Sequence, residues 1–525
     1  MTARLRRPAP ILALLLWSAL VLLLCSGTSP LYAFHDWTDA NTYLTMGRGL
    51  LAGAVPYRDL FDHKGPLLYA VYALGAALDP GGFAGVFCLQ CLSLALTLYG
   101  VYRLALCLGS ESVPALLCAC ALPLFLLSAG VYYLPDALDY GGGSAEEFCL
   151  PLFSLSLWLT VREEKPGGWA LLALGGLAGC AAQIKFSLCL FWAGLLAPYL
   201  LRLLFLRRGR ALVRALALLA LGFVLSWLPY LAYALYTGSL GDFWSAYVLF
   251  NRDYAAVGVD SLRELPRRAA EQAVRALTGA PAVCLALLAG AWGCRAARTA
   301  PVSGRAGVLL SAAGLGWAIF SGRTMPYTLL PLLLYAGVGL AALAGRLPAP
   351  RRPALAAGLL LPLLLLFTAS ANQMLLHKPL FCSSVPTCQE TIAARIRSGP
   401  YRDPTVLEAG MLSRGFYNEL DLIPPVRFFY LPNIPDALHP EILDSQLSAI
   451  SRRAADYVIL QSGDPDVSEG RLPEDPRQAR LFRAAFQQYR LEAVIPGTGA
   501  VDHLFYYLFL RRPPLQTEPA ARIAR

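Results

Sequence analysis

Charged residues are scarce in this chain. Of its 525 residues, 15% are Asp, Glu, Lys or Arg, whereas soluble globular domains carry roughly 25%. The hydrophobic fraction is 57%, which also excludes an intrinsically disordered chain, because disorder needs low hydrophobicity and high charge. Phosphate-binding loops of the form GxxxxGK[ST], the nucleophile elbow GxSxG and the Cys/His spacings of zinc sites are absent from the sequence. The composition therefore excludes an ordinary water-soluble enzyme.

The formal net charge of +10 is unevenly distributed. Residues 1–372 contain 27 basic and 17 acidic residues, whereas residues 373–525 contain 17 of each sign. A basic excess confined to an apolar region indicates orientation in a membrane, since cytoplasmic loops are enriched in Lys and Arg. We therefore expect the lipid bilayer, and no nucleic acid, as a partner.

Long apolar runs occupy the first 372 residues. A helix needs about 20 residues to cross the ~30 Å of hydrocarbon in a bilayer. We predict eleven spans, at 9–27, 82–107, 112–133, 147–161, 168–185, 186–206, 211–236, 276–294, 306–321, 324–345 and 354–372. A shorter run at 65–79 follows a charged loop and is interpreted as an interfacial or re-entrant helix.

The distribution of basic residues supports this count. With the N-terminus in the cytoplasm, the eleven spans place 17 basic and three acidic residues inside, and ten basic and 14 acidic residues outside. A twelfth span at 65–79 would move the five arginines between 202 and 214 to the outside, against the positive-inside rule. We therefore predict a multi-pass membrane protein with its N-terminus inside. The run SLRELPRRAAEQAVRA at 261–276 is typical of an amphipathic helix on the outer surface.

The composition becomes polar after Asn372. Strand-like runs at 405–409, 426–431, 456–461, 491–495 and 503–510 accompany helical patterns at 388–397 and 476–491. These patterns predict a small extracytoplasmic α/β domain over 373–525. An extracytoplasmic location would allow a disulfide between Cys382 and Cys388.

Charged side chains collect on the predicted outer face, mainly in the loops 28–64 and 134–147. Charged groups at a membrane are costly and usually functional. A carboxylate could deprotonate an incoming acceptor, while Lys and Arg stabilise a departing lipid phosphate. The candidates are Asp36, Asp39, Arg58, Asp59, Asp62, His63, Lys64, Glu146, Glu147, Lys185, Arg252, Tyr254, Arg323 and Tyr327. Solvated loop charge, or a lysine reaching the interface at position 185, is the alternative explanation. His35 and His63 could bind metal with nearby carboxylates, but their spacing favours a hydrogen-bonding role.

The first outer loop carries a specific pattern. Its residues are Asp39, Tyr43, Gly53, Pro56, Tyr57, Asp59, Asp62, Lys64, Pro66, Leu67 and Tyr69. The pattern resembles that of the membrane-embedded GT-C glycosyltransferases, which include protein O-mannosyltransferases and the lipid A aminoarabinose transferase. The general layout extends the resemblance over residues 1–372. It implies a polytopic α-helical GT-C membrane protein of about eleven transmembrane helices in the plasma (cytoplasmic) membrane.

The resemblance also implies a reaction. A hexosyl or pentosyl group would move from a polyprenyl-phosphate-sugar donor to a glycan, lipid or protein acceptor on the outer face, with inversion. Asp39 would be the acceptor-activating base, Lys64 with Arg323 or Arg58 would hold the donor phosphate, and the remaining candidates would position sugar or acceptor. Ala40 stands where many relatives have Glu, so the need for a divalent metal stays open. Two other functions also stay open: a transporter or flippase of lipid-linked sugars, and a non-catalytic scaffold of the cell envelope.

Overall fold

The computed structural model describes residues 9–133, 141–258, 261–380, 386–498 and 503–512. The chain divides into two compact units, Met1–Ser384 and Val385–Arg525. The division falls shortly after the change of composition at Asn372.

The first unit is helical. Its helices are α1 (Ala9–Cys25), α2 (Thr38–Leu51), α3 (Pro66–Leu78), α4 (Ala84–Cys107), α5 (Ser112–Ala121), α6 (Pro123–Leu126), α7 (Ala145–Arg162), α8 (Gly168–Lys185), α9 (Leu190–Phe205), α10 (Gly209–Thr237), α11 (Leu240–Phe243), α12 (Phe250–Ala256), α13 (Leu265–Gly279), α14 (Pro281–Ala296), α15 (Val302–Phe320), α16 (Leu330–Leu333), α17 (Tyr335–Ala344), α18 (Pro353–Asn372) and α19 (Met374–His377). A π-helical stretch, Trp244–Leu249, joins α11 to α12, and the 3-10 turn Pro326–Leu329 precedes α16. Helical backbone is present in each of the eleven apolar runs and in the short run at 65–79.

Six helical segments among the described residues are long and apolar enough to cross a membrane. They are Ala84–Cys107, Gly168–Phe205, Gly209–Thr237, Val302–Phe320, Pro326–Ala344 and Pro353–Asn372. A seventh is obtained if α13 and α14, which meet at an angle of 102°, are counted as one broken span. The predicted multi-pass helical architecture is therefore present, and the count of eleven spans stays a prediction.

Glycines bring α8 and α10 close together. A Cβ on Gly175 would lie 2.0 Å from the carbonyl oxygen of Leu219, and a Cβ on Gly222 would lie 2.0 Å from that of Leu172. Small residues at such positions let two membrane helices approach backbone to backbone. This packing fixes the end of α8, where Lys185 lies.

The second unit is a four-stranded sheet flanked by helices. Its elements are α20 (Cys388–Arg397), β1 (Val406–Glu408), α21 (Phe416–Leu420), α22 (Pro440–Ser451), β2 (Tyr457–Ser462), α23 (Pro476–Gln488), β3 (Tyr489–Pro496) and β4 (Phe505–Arg511). The strand order is β1-β2-β4-β3, with β1 parallel to β2 and the other pairs antiparallel. Alternate side chains of β4 enter two apolar clusters, one containing Tyr507 and Phe509 and the other Tyr506 and Leu508. This alternation is the two-residue period of a strand buried on both faces.

Four of the five predicted strands are confirmed, and the prediction at 426–431 is wrong. That segment follows two prolines, Pro424 and Pro425, and its carbonyls are used by side chains. The Phe428 carbonyl accepts from Gln446 Nε2 at 3.0 Å, and the Phe429 carbonyl accepts from the Tyr417 hydroxyl at 3.3 Å. These bonds replace a strand ladder while the aromatic side chains still fill the core.

Candidate functional site

Asp39 is held at the start of α2. Its Oδ2 accepts hydrogen bonds from the hydroxyl of Tyr43 at 3.0 Å and from that of Tyr327 at 3.3 Å. Tyr43 lies one helical turn further along α2, where an i+4 residue shares the same face. Oδ1 of Asp39 makes no hydrogen bond to a described residue. The carboxylate is therefore oriented through one oxygen, and the other can accept a proton.

The loop between α2 and α3 fixes the backbone of Lys64. The hydroxyl of Tyr57 donates to the Lys64 carbonyl at 2.8 Å, and the Lys64 N–H donates to the hydroxyl of Tyr69 at 2.9 Å. The Tyr69 hydroxyl also donates to Asp62 Oδ2 at 2.8 Å. Tyr57 has a positive φ of 70°, a conformation that non-glycine residues rarely adopt and that clusters at functional sites. Through its hydrogen bond from Tyr69, Asp62 helps to hold this loop in place.

The side chain of Lys64 carries a positive charge that no described carboxylate neutralises directly. Its Nζ lies 5.9 Å from the centroid of the Tyr43 ring and makes no hydrogen bond or close ion pair within the described ranges. Burial would lower the pKa of Lys64, but the nearby charges of Asp39 and Asp62 raise it above its ordinary value. The ammonium group is therefore charged and has three donors available for an anion.

A cavity of about 960 Å³ opens beside Lys64. Its charged and aromatic lining includes Lys64, Lys185, Arg252, Arg323, His63, Tyr254 and Tyr327, and its apolar wall includes Ile184, Leu188, Leu190, Trp317, Ile319 and Met325. The Arg323 guanidinium lies 4.6 Å from the centroid of the Tyr254 ring. Apolar walls with a few polar groups are typical of ligand-binding cavities. The cations suit an anionic head and the walls suit an apolar chain.

The adjacent acidic residues Glu146 and Glu147 differ in their surroundings. Both lie in the first turn of α7, which begins two residues before the predicted end of the acidic loop. Glu147 accepts from Gln90 Nε2 and the Gly143 N–H, each at 2.8 Å, and from the Tyr132 hydroxyl at 3.1 Å. Through these bonds Glu147 stabilises the segment immediately before α7.

Glu146, by contrast, has a partner for only one of its two carboxylate oxygens. Its side chain is 1% exposed, and Oε1 forms an ion pair with Lys185 Nζ at 2.5 Å. Oε2 is buried and has no hydrogen-bond partner among the described residues. Glu146 does not line the cavity beside Lys64 in this structure, so its role in positioning sugar or acceptor stays a prediction.

Seven of the fourteen predicted site residues lie outside the cavity lining, namely Asp36, Asp39, Arg58, Asp59, Asp62, Glu146 and Glu147. Arg58 is exposed and donates to Asp59 and to the Thr237 carbonyl, and Asp59 also accepts from the Val55 N–H at 2.8 Å. Asp36 forms an ion pair with Lys378. These side chains stabilise the first loop in this structure.

The two histidines of the first loop have different partners. His35 is buried, with its Nε2 3.1 Å from the Gly142 carbonyl, and burial lowers its pKa to about 3. His63 lines the cavity, with its Nδ1 3.1 Å from Asn251 Oδ1. Within the described ranges, no three His, Cys, Asp or Glu side chains form a group that could hold a metal ion. Each histidine therefore has one ring nitrogen within hydrogen-bond distance of a described residue.

Sequence reasoning missed two contributors to the site. Asn251 stands in the segment NRDYA beside the chosen Arg252, but its contact with His63 spans 188 residues. Gln272 of α13 donates to the Gly322 carbonyl at 2.7 Å and accepts from the Thr324 N–H at 3.1 Å, so it holds the backbone on both sides of Arg323. No local pattern signals such contacts. The predicted disulfide falls outside the described residues at Cys382, while Cys388 is buried.

No family model and no curated protein matches this chain. The structure is similar to the crystal structure of ArnT from Cupriavidus metallidurans bound to undecaprenyl phosphate, with a TM-score of 0.57 at 13% identity. That match covers 95% of this chain and 97% of ArnT. The arabinofuranosyltransferase AftD from Mycobacteria has a TM-score of 0.50 at 14% identity, and the match covers 97% of this chain but only 40% of AftD.

The resemblance seen in the first loop is thus confirmed at the level of the fold. ArnT and AftD are both GT-C glycosyltransferases. This chain has the fold of the GT-C membrane glycosyltransferases.

Proposed function

We propose that this protein is a glycosyltransferase that moves a sugar from a polyprenyl-phosphate-linked donor to an acceptor at the extracytoplasmic face of the membrane. The observation that carries the proposal is the Lys64 ammonium, which is charged, faces a cavity with apolar walls and lies in the same charge cluster as Asp39. The likeness to ArnT, whose crystal structure contains undecaprenyl phosphate, supports this type of donor.

Donor binding follows from the lining of the cavity. The donor phosphate binds Lys64, and the other cations of the lining are Lys185, Arg252 and Arg323. Arg323, rather than Arg58, is assigned as the helper, because the Arg58 side chain is bound to Asp59 and the Thr237 carbonyl. The prenyl chain packs on apolar side chains such as Leu190 and Trp317. Burying apolar surface and pairing a phosphate with cations both favour binding.

The transfer step uses Asp39 as a base. A hydroxyl or amine of the acceptor gives its proton to Asp39 Oδ1 while its lone pair attacks the anomeric carbon of the sugar. The bond between that carbon and the phosphate oxygen breaks, and its electron pair leaves with the lipid phosphate. Cations beside the phosphate stabilise the charge that develops there. A single displacement of this kind inverts the anomeric configuration.

The orientation of the chain completes the proposal. The N-terminus lies in the cytoplasm of a cell with a polyprenyl-phosphate pathway, and the unit after residue 384 lies outside. The excess of basic residues in the predicted inner loops supports this orientation. Cysteine labelling of the loop at 206–208 from the outside would contradict it.

The test is a transfer assay with the purified protein. A panel of undecaprenyl-phosphate-linked hexoses and pentoses is offered, and release of undecaprenyl phosphate is measured for the unaltered protein and for Asp39→Asn and Lys64→Ala. We expect at least a 100-fold loss of kcat for Asp39→Asn, since general base catalysis contributes about 10²–10⁴. Lys64→Ala should lower kcat/KM by a similar factor, and Lys64→Arg should restore part of it.

Exposed residues supply the matched controls. Asp403→Asn and Lys165→Ala remove the same charges at exposed positions and should leave turnover unchanged. Full activity of Asp39→Asn would refute the assigned base. Absence of turnover by the unaltered protein with every donor would refute the enzyme and favour a transporter or a scaffold.

A further inference from the structure

The imidazole of His63 lies in the wall of the donor cavity and packs against two aromatic rings. Its centroid is 5.2 Å from that of Phe250 and 5.2 Å from that of Tyr254. The next residue in the chain is Lys64, which lines the same cavity. The ring is therefore fixed in orientation close to the assigned phosphate ligand.

The contacts of Asn251 determine which nitrogen of His63 carries the proton. Asn251 Nδ2 donates to the His63 carbonyl at 2.6 Å and to the Tyr247 carbonyl at 2.9 Å. These two bonds fix the orientation of the amide, so that its oxygen lies 3.1 Å from His63 Nδ1. An amide oxygen can only accept a hydrogen bond, so Nδ1 must be the donor. In a neutral imidazole the lone pair is then on Nε2.

The imidazole stays neutral in this position. Burial, together with the adjacent charge of Lys64, lowers the pKa of His63 to about 4. Nε2 makes no hydrogen bond to a described residue. It is also not among the fully buried polar atoms that lack a partner, so it is accessible. Nε2 is thus a neutral hydrogen-bond acceptor that a ligand in the cavity can reach.

We propose that Nε2 of His63 accepts a hydrogen bond from a hydroxyl group of the donor sugar. This inference rests on the proposed function. The charged lining residues Lys64, Lys185, Arg252 and Arg323 can only donate hydrogen bonds, whereas a sugar hydroxyl also needs an acceptor. The sugar is bonded directly to the phosphate, so its hydroxyls lie near Lys64. A neutral acceptor fits there better than a carboxylate, which would repel the phosphate.

The tautomer is tested first, without any donor. Histidine labelled with ¹⁵N is incorporated into the full-length protein, and the resonance of His63, one of five histidines, is assigned by its loss in His63→Gln. We expect the neutral form protonated at Nδ1 at about pH 7, and a mixture of tautomers in Asn251→Leu. A proton on Nε2, or a charged ring at this pH, would overturn the inference.

The contact with the sugar is tested by matched changes in enzyme and donor. His63→Phe keeps an aromatic ring against Phe250 and Tyr254 but removes both nitrogens. We expect kcat/KM to fall about 10-fold, the value of one neutral hydrogen bond, and His63→Gln, which returns an acceptor near the position of Nε2, to recover most of it. With the donor that lacks the contacted hydroxyl, His63→Phe should cost nothing further.

The outcomes separate this inference from the proposed function. The unaltered enzyme could be active while His63→Phe loses the same factor in kcat/KM with every deoxy donor. That result would overturn the sugar contact but leave the proposed glycosyltransferase activity standing. If the His63→Phe loss of kcat/KM disappears only with a deoxy acceptor, His63 contacts the acceptor. That result would also overturn the proposed contact with the donor sugar. Absence of turnover by the unaltered enzyme would overturn both.

Discussion

Removing Lys185 should leave the carboxylate of Glu146 buried without its cation. The Glu146 side chain is 1% exposed and that of Lys185 is 27% exposed, so solvent cannot replace the lost ammonium. Breaking a buried ion pair from one side typically costs 3–5 kcal/mol, because one charge stays uncompensated. We expect Lys185→Met to lower the free energy of unfolding by about 3 kcal/mol. The double variant Glu146→Gln/Lys185→Met should recover at least half of that loss, because it removes both charges.

The measurement is a denaturation curve of the detergent-purified protein for both single variants and the double variant. The exposed ion pair of Arg202 and Glu164 supplies the control, and Arg202→Met should cost less than about 1 kcal/mol. A loss below about 0.5 kcal/mol in Lys185→Met, with no recovery in the double variant, would refute the reasoning. Glu146 would then be solvated or protonated, and the pair would not contribute to the structure.

Three further results are expected. Tyr327→Phe should lower kcat about 10-fold in the transfer assay by removing one of the two hydrogen bonds to Asp39, and an unchanged kcat would contradict this. Burial raises the pKa of Glu408 to about 7, so its stability contribution is present below about pH 4.5 and is lost as the pH rises through 7. Glu408→Gln should therefore flatten the dependence of the thermal midpoint of the intact chain on pH, and a wild-type midpoint that does not fall between about pH 5 and 8 would contradict the shift. Gln272→Ala should raise the KM for the donor several-fold by releasing the backbone around Arg323, whereas an effect on kcat alone would contradict a positioning role.

The helices could be predicted because their signal is local. An apolar run of about 20 residues between charged loops has few alternatives to a helix in a bilayer, and helical backbone is present in every such run. The segment at 426–431 has the alternation of a strand, but its carbonyls bond to Gln446 and Tyr417 from other elements. That competition depends on tertiary contacts and has no signature in the segment itself.

Local sequence signals identified several residues of the cavity lining: the motif included Lys64, and charges beside apolar runs pointed to Lys185, Arg252 and Arg323. The pattern from Asp39 to Tyr69 identified the loop, and Lys64 does line a cavity. The same reasoning could not separate Glu146 from Glu147, because adjacent carboxylates look alike until their partners are known. It also could not show that Arg58 bonds to the Thr237 carbonyl, 179 residues away.

The ion pair between Asp36 and Lys378 has a consequence for biosynthesis. It joins residues 342 positions apart, and next to it Tyr32 forms a β-bridge with Leu380. A nascent chain that ends before residue 378 therefore lacks part of the support for the loop that carries Asp39. Because contacts so distant in sequence form late, the loop is completed only after α18 has been made. A chain released before that point would lack both contacts, and with them two of the constraints on the loop.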